Sequence, residues 1–205
     1  MMLAMKLLKG LREQRRLTDL DIHFAALMCR LAGEASEELA LAAALVSNSR
    51  GEGHVCLVLE DYAGKDLAAP GNAGPYRTPG AADWQVLLRR FPVVGAPGEF
   101  RPLILDDRGR LYLHRYWCYE RTLSDRLLGL ARMPDFPWDE ASARSALSRL
   151  FPAAGDETRW QKLAAATALL RPLSVISGGP GTGKTSTVVR ILALLLEGAD
   201  GNPLD

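Results

Sequence analysis

"SVISGGPGTGKTST", residues Ser174 to Thr187, decides how the second half of the chain is read. The apolar "LSVIS" leading into it predicts a short buried strand, and "KTSTVVRILALLLEG", from Lys184 onward, predicts an apolar helix. Strand, glycine loop and helix form the context in which the spacing G-x-x-x-x-G-K-[ST] holds phosphate instead of merely turning the chain. Gly178, Gly183, Lys184 and Thr185 satisfy that spacing, with Gly179, Pro180, Gly181 and Thr182 between them. Glycines let several backbone N–H groups turn inward around an anion and let it approach closely. Lys184 is expected to bridge the β- and γ-phosphates and Thr185 to offer its hydroxyl to Mg²⁺. Ser186 sits in the same first helical turn, whose dipole faces the anion. The expected ligands are therefore a nucleoside triphosphate and Mg²⁺.

The bulk numbers fit a globular protein. The chain has 205 residues, 48% of them hydrophobic and 24% charged. That length allows one domain, or one domain and part of another. No apolar run reaches the ~18 residues of a membrane span. The opening "MMLAMKLLKGLREQRR" places its basic residues after the apolar patch, the reverse of a secretory leader. Cys29, Cys56 and Cys118 are odd in number, far apart and without CxxC spacing, so they indicate neither a disulfide framework nor a zinc site. A reducing cytoplasm suits them best. The formal net charge of +1 carries no global footprint of a nucleic-acid binder and leaves a local basic groove open.

Working upstream, "DETRWQKLAAATALL" predicts a helix capped at Asp156, and "MPDFPW" carries two prolines that break helical structure. A linker there divides the chain into residues 1–133 and 134–205. Helices are expected at 119–132 and 139–150. The runs 102–105 and 110–118, joined by "DDRG", read as a hairpin with Asp106 and Asp107 as turn residues. Leu20, Phe24, Leu27 and Leu31 recur on one helical face, expected to meet the core, and Gly33 is placed to stop that helix. A second helix runs from a cap at Ser36 through "EELALAAALV", followed by a turn at "SNSRGEG" and a strand at "HVCLVL". Residues 63–82 read as an exposed loop, and "DWQVLLRRF" as a short helix capped by Asp83. Trp84, Trp138 and Trp160 stand near helix starts, where each is expected to anchor against the core. The predicted fold is an α+β N-terminal domain of helices plus a hairpin, then the first strand, P-loop and helix of an α/β domain.

"RGRLYLHRYWCYERT" interleaves Arg108, Arg110, His114, Arg115 and Arg121 with Tyr112, Tyr116, Trp117 and Tyr119. Bases could stack on such aromatics while arginines track phosphates. Strand alternation, however, puts a clean basic-aromatic platform on neither face, which leaves core packing, a protein interface and single-stranded DNA as readings. His54 and Cys56 share a strand face, but without further ligands nearby they read as packed residues.

Three stretches resemble the RecD family, the alpha subunit of exodeoxyribonuclease V: "GHVCLVLED" at 53–61, "RLYLHRYWCYE" at 110–120, and "RWQKLAAATALLRPLSVISGGPGTGKTSTVVRILALL" at 159–195. The form "GGPGTGKT" is similar to that of superfamily 1 helicases. The resemblance implies that Gly178 through Thr185 form the helicase nucleotide loop. It also implies that Gln161, seventeen residues ahead of Gly178, reads the adenine edge through its paired donor and acceptor. It further implies a 5′ to 3′ DNA translocase beside a RecB-like helicase–nuclease and a RecC-like scaffold. That assembly would act in double-strand break repair, recombination and degradation of linear DNA, with no membrane partner. Residues 1–133 would dock on the RecC-like subunit, and DNA would be handled by the full-length protein. The acidic metal-holding residue and the arginine that NTP hydrolysis requires cannot lie in "LEGADGNPLD". The chain is therefore expected to be the N-terminal piece of a longer protein and inactive as a helicase alone. Two other readings stand beside this one: a non-catalytic adaptor with a nucleotide loop, and another P-loop enzyme such as a small-molecule kinase.

Overall fold

The computed structural model describes residues 2–67, 76–134, 139–152 and 156–199. Two compact units, Met1–Thr122 and Leu123–Asp205, divide the chain.

Three helices open the first unit: α1 (Met2–Glu13), α2 (Asp19–Ala32) and α3 (Glu37–Gly51). Leu7, Leu8 and Leu11 bury one side of α1, a helix that the basic residues around them obscured in the sequence. Thr18 and Asp21 form a reciprocal capping box at the start of α2. The Thr18 N–H donates to the Asp21 carboxylate at 2.8 Å, and the Asn48 amide of α3 donates to the same carboxylate at 3.4 Å. A buried acid is thereby satisfied on two elements at once. Gly33 closes α2 in the left-handed conformation, as its position predicted.

Of the face expected to meet the core, Phe24 packs against it half-buried, and the three leucines do not. α2 buries Asp21, Ile22, Ala25 and Met28 instead, while Leu20 is 72% and Leu31 54% exposed. The cause is the neighbour: α3 presents buried Ala40, Ala42, Ala43 and Ala44, and small residues let two helices approach closely. Ser36 caps α3 as expected, accepting from the Leu39 N–H at 3.2 Å. The helix then runs through the predicted turn to Gly51.

Strands β1 (Leu57–Val58), β4 (Val94–Gly95), β5 (Leu103–Leu105) and β6 (Arg110–Leu113) form a sheet in the order β1-β6-β5-β4. β5 and β6 make the expected antiparallel hairpin, with Ile104 opposite Tyr112, and β4 joins β5 in parallel. Asp106 organises the turn. Its carboxylate accepts from the Arg108 and Arg110 N–H groups at 3.0 and 2.9 Å and from Arg110 Nε at 2.7 Å. Within the stretch read as loop, β2 (Asp66–Leu67) and β3 (Tyr76–Arg77) form a small antiparallel pair. Residues 68–75, the linker residues 135–138 with Trp138, and the side chain of Asp156 lie outside the described residues. Helix α4 (Ala81–Leu88) takes Gly80 as its cap, so Asp83 lies inside its first turn. Trp84 anchors as predicted, fully buried and donating from Nε1 to the Glu38 carbonyl at 3.2 Å.

The second hairpin strand was expected to reach 118, but the chain turns helical at His114. α5 runs His114–Arg132. The Arg50 guanidinium of α3 lies 4.1 Å from the Tyr116 ring centroid, and Tyr116 meets Tyr119 edge-on at 6.0 Å. A helix puts residues three apart on one side, whereas a strand would separate them.

The second unit holds α6 (Glu140–Leu150), α7 (Asp156–Leu170) and α8 (Lys184–Ala199) around Leu147, Phe151, Ala165, Leu169, Ile191 and Leu194. Asp139 caps α6 through the Ser142 N–H at 2.8 Å, and Arg149 pairs with Glu197. The strand predicted at "LSVIS" is not formed, and Val175 is 87% exposed. A strand needs a neighbour for its ladder, and among the described residues this unit has no other strand.

Burial pushes the Tyr76 hydroxyl up to about 12, with Glu38 and Glu37 adding to the shift. An unfolded tyrosine titrates near pH ~10. The unfolded chain therefore loses this proton first, and the stability it supplies is full below ~10 and is lost as pH rises towards about 12. Thermal melts should show a midpoint that falls above pH ~10, less steeply in Tyr76→Phe; an identical slope in both proteins would refute the assignment.

Candidate functional site

The glycine loop leaves α7 behind and enters α8 with Pro180 and Gly181 at its turn. Gly181 and Gly183 have φ of 80° and 73°, where a side chain is strained. The first helical N–H that finds an intrahelical acceptor is that of Thr187, bonded to the Gly183 carbonyl at 2.9 Å. Helix geometry leaves the N–H groups of Lys184, Thr185 and Ser186 without such a partner, which is the donor set an anion takes up.

Lys184 folds across the mouth of the loop. Its Nζ donates to the carbonyls of Gly178 at 2.7 Å and Gly179 at 2.5 Å. Thr182 Oγ1 donates to the Gly179 carbonyl at 2.9 Å. A Cβ added at Gly178 would stand 2.8 Å from Thr182 Oγ1, so the cradle closes against side chains. From α7, Gln161 Nε2 donates to the Thr182 carbonyl at 3.3 Å and would lie 2.6 Å from a Cβ at Gly183. Thr185 and Ser186 are exposed at the start of α8. The residues singled out in the sequence, Gln161 and Gly178 through Ser186, are thus neighbours in the structure.

Two contributors were not singled out. Thr187 is buried, and its hydroxyl donates to the Gly183 carbonyl at 3.0 Å, pinning the loop to the helix. Trp160, expected to anchor against the core, is 70% exposed beside the loop. A cleft of about 240 Å³ is lined by Trp160, Gln161, Ala164, Ile176, Gly178 and Lys184, among others. His54 and Cys56 gain no companions: among the described residues no three His, Cys, Asp or Glu side chains converge as a metal site. No described helix is long and apolar enough to cross a membrane.

Residues 13–112 match the family described as RecBCD enzyme subunit RecD, N-terminal domain. That stretch belongs to the RecD N-terminal domain family. Residues 161–203 match an AAA domain, which places them among nucleotide-binding segments. The RecD subunit of the RecBCD enzyme from Mycobacterium tuberculosis (strain CDC 1551 / Oshkosh) is 38% identical over 186 residues, covering 88% of this chain and 28% of the relative. The RecD of Mycolicibacterium smegmatis is 38% identical over 87% of this chain and 29% of its own length. That of Haemophilus influenzae is 42% identical over 92 residues, 43% of this chain and 14% of the relative. The chain thus spans less than a third of these RecD subunits.

The loop geometry makes a contrast between two glycines. Gly183→Ala forces a left-handed alanine against Gln161, and unfolding of the second unit should show a loss of about 1–2 kcal/mol. Gly179→Ala meets nothing within 4 Å and has no left-handed φ, so it should change stability by less than ~0.5 kcal/mol. Equal urea midpoints for the two variants would contradict the described loop.

Proposed function

We propose that this chain supplies two parts of a RecD-type subunit. One is a nucleotide loop that binds ATP with Mg²⁺, and the other is an α+β domain that docks on a RecC-type partner. In the complete assembly, with RecB-type and RecC-type subunits, the activity would be 5′ to 3′ DNA unwinding in double-strand break repair, recombination and degradation of linear DNA. The docking domain corresponds to residues 1–133 and the ATPase portion to 134–205.

The observation that carries the nucleotide reading is the loop mouth. An ammonium group, the amides of the first turn of α8 and two left-handed glycines belong to it, and the described lining residues include no acidic side chain. Gly178 to Gly183 would wrap the phosphates, and Lys184 would exchange its carbonyl contacts for phosphate oxygens. Thr185 would turn its hydroxyl to Mg²⁺, Ser186 would add its amide, and Gln161 would meet the base. Bound Mg²⁺ neutralises phosphate charge. Titration calorimetry of the chain with Mg²⁺-ATP should show saturable binding that Lys184→Ala removes. Absence of binding by the wild-type chain, or equal binding by the variant, would overturn this reading.

The docking reading rests on α2. Its outward residues Leu20 and Leu27 and the half-buried Phe24 line an open apolar groove of about 870 Å³, and Leu31 extends the stripe. Apolar surface of this extent marks a protein interface more often than a solvated face. The relatives are named as subunits of a multi-subunit enzyme. Leu27→Glu and Leu31→Glu, both on exposed positions, should preserve helical circular dichroism and weaken binding to a purified RecC-type subunit by about tenfold or more. Unchanged affinity in both variants would move the interface elsewhere.

A further inference from the structure

Trp160 projects an indole into solvent beside the loop, which burial alone cannot account for. It stands one residue before Gln161 and lines two adjoining clefts. The first also holds Gly178, Thr182 and Lys184. The second, of about 380 Å³, is lined with it by Leu163, Ala164 and Val175. The first cleft therefore joins a cation, Lys184, to the apolar surface of Trp160, Ala164 and Ile176. A nucleotide joins the complementary pair, a polyanionic tail and a flat, weakly polar base.

We propose that Trp160 is the platform on which the base of a nucleotide held at the loop stacks. The proposal rests on the nucleotide reading above. It also divides the labour between two adjacent residues. Every base has a π-face, so stacking on an indole adds affinity without choosing among bases. Choice would fall to the Gln161 amide, whose carbonyl and NH₂ can match a particular base edge. Trp160 would thus set how tightly a nucleotide is held, and Gln161 which one.

The test compares Mg²⁺-ATP, Mg²⁺-GTP and inorganic tripolyphosphate on the wild-type chain, Trp160→Ala and Trp160→Phe. Trp160→Ala should weaken ATP and GTP alike, by roughly tenfold, and leave tripolyphosphate within about twofold. Trp160→Phe should recover most of the loss, because a phenyl ring still offers a face. Tryptophan fluorescence of the wild type should be quenched by ATP and not by tripolyphosphate, and the quench should vanish in Trp160→Phe. Unchanged ATP affinity in Trp160→Ala would overturn the proposal, as would an equal loss for tripolyphosphate, which would make Trp160 a support of the loop. Binding of tripolyphosphate by the wild type with no gain from the base would sink the platform and spare the loop reading. Failure of all three ligands on the wild type would remove both.

Discussion

The candidate site hangs from the packing of α7 on α8. Ala165 and Leu169 of one helix and Ile191 and Leu194 of the other are buried in a single cluster with Leu147 and Phe151. Burying each large apolar side chain contributes about 1.5–3 kcal/mol, enough in sum to fix the two helices side by side. Once they are fixed, the early turns of α7 lie against the chain entering α8. Gln161 can then reach the Thr182 carbonyl, and Trp160 is delivered to the edge of the loop. The polar contacts at the site are weak one by one; the apolar contact decides that they can occur together.

A different economy governs the first unit. There the small residues are inside: α3 is buried from Leu39 to Val46 with four alanines among them, and α2 turns Ala25 towards the core. Close approach through small residues leaves the large ones over. Leu20, Leu27 and Leu31 lie outside because the face of α2 that meets the core carries Ile22, Ala25 and Met28. The exposed stripe is therefore a consequence of how the core closes.

What could be read in the sequence was what is settled locally. The Ser36 cap, the Gly33 stop and the Asp106 turn depend on hydrogen bonds spanning two to four residues, and these appear where the residue types put them. The RecD resemblance was legible for a related reason, since the words at 53–61, 110–120 and 159–195 are contiguous strings. What escaped depends on distant partners. Periodicity identified α2 as a helix but not which of its two apolar faces would be covered, because that choice belongs to α3. "RLYLHRYWCYE" has the aromatic content of a strand throughout, yet the switch to helix at His114 accompanies a cation–π contact from Arg50, more than sixty residues upstream. "LSVIS" has the composition of a buried strand and finds no ladder to join among the described residues of its unit. Trp160 was misplaced for the same reason: proximity to a helix start says nothing about which side of the helix meets the core.

The unformed strand bears on how the loop holds its shape. In a sheet-based site the strand would orient the loop from below. Here the restraints come from within a few residues: Lys184 to the Gly178 and Gly179 carbonyls, Thr182 to Gly179, and Thr187 to Gly183, by both N–H and hydroxyl. Gln161 reaches in from another element, α7. Local bonds of this kind close short rings at small entropic cost, so the loop can keep its curvature while the segment before it remains unpaired. The weak point is charge. With Lys184 turned onto two carbonyls, the loop satisfies its own cation, and an incoming phosphate must be a better acceptor than two amide oxygens. A polyphosphate meets that condition, because charge-assisted bonds to an anionic oxygen are roughly twice as strong as those to a neutral one. The helix-start amides, left without acceptors by α8, add to the difference. The arrangement thus favours ligands with several adjacent anionic oxygens over those with one.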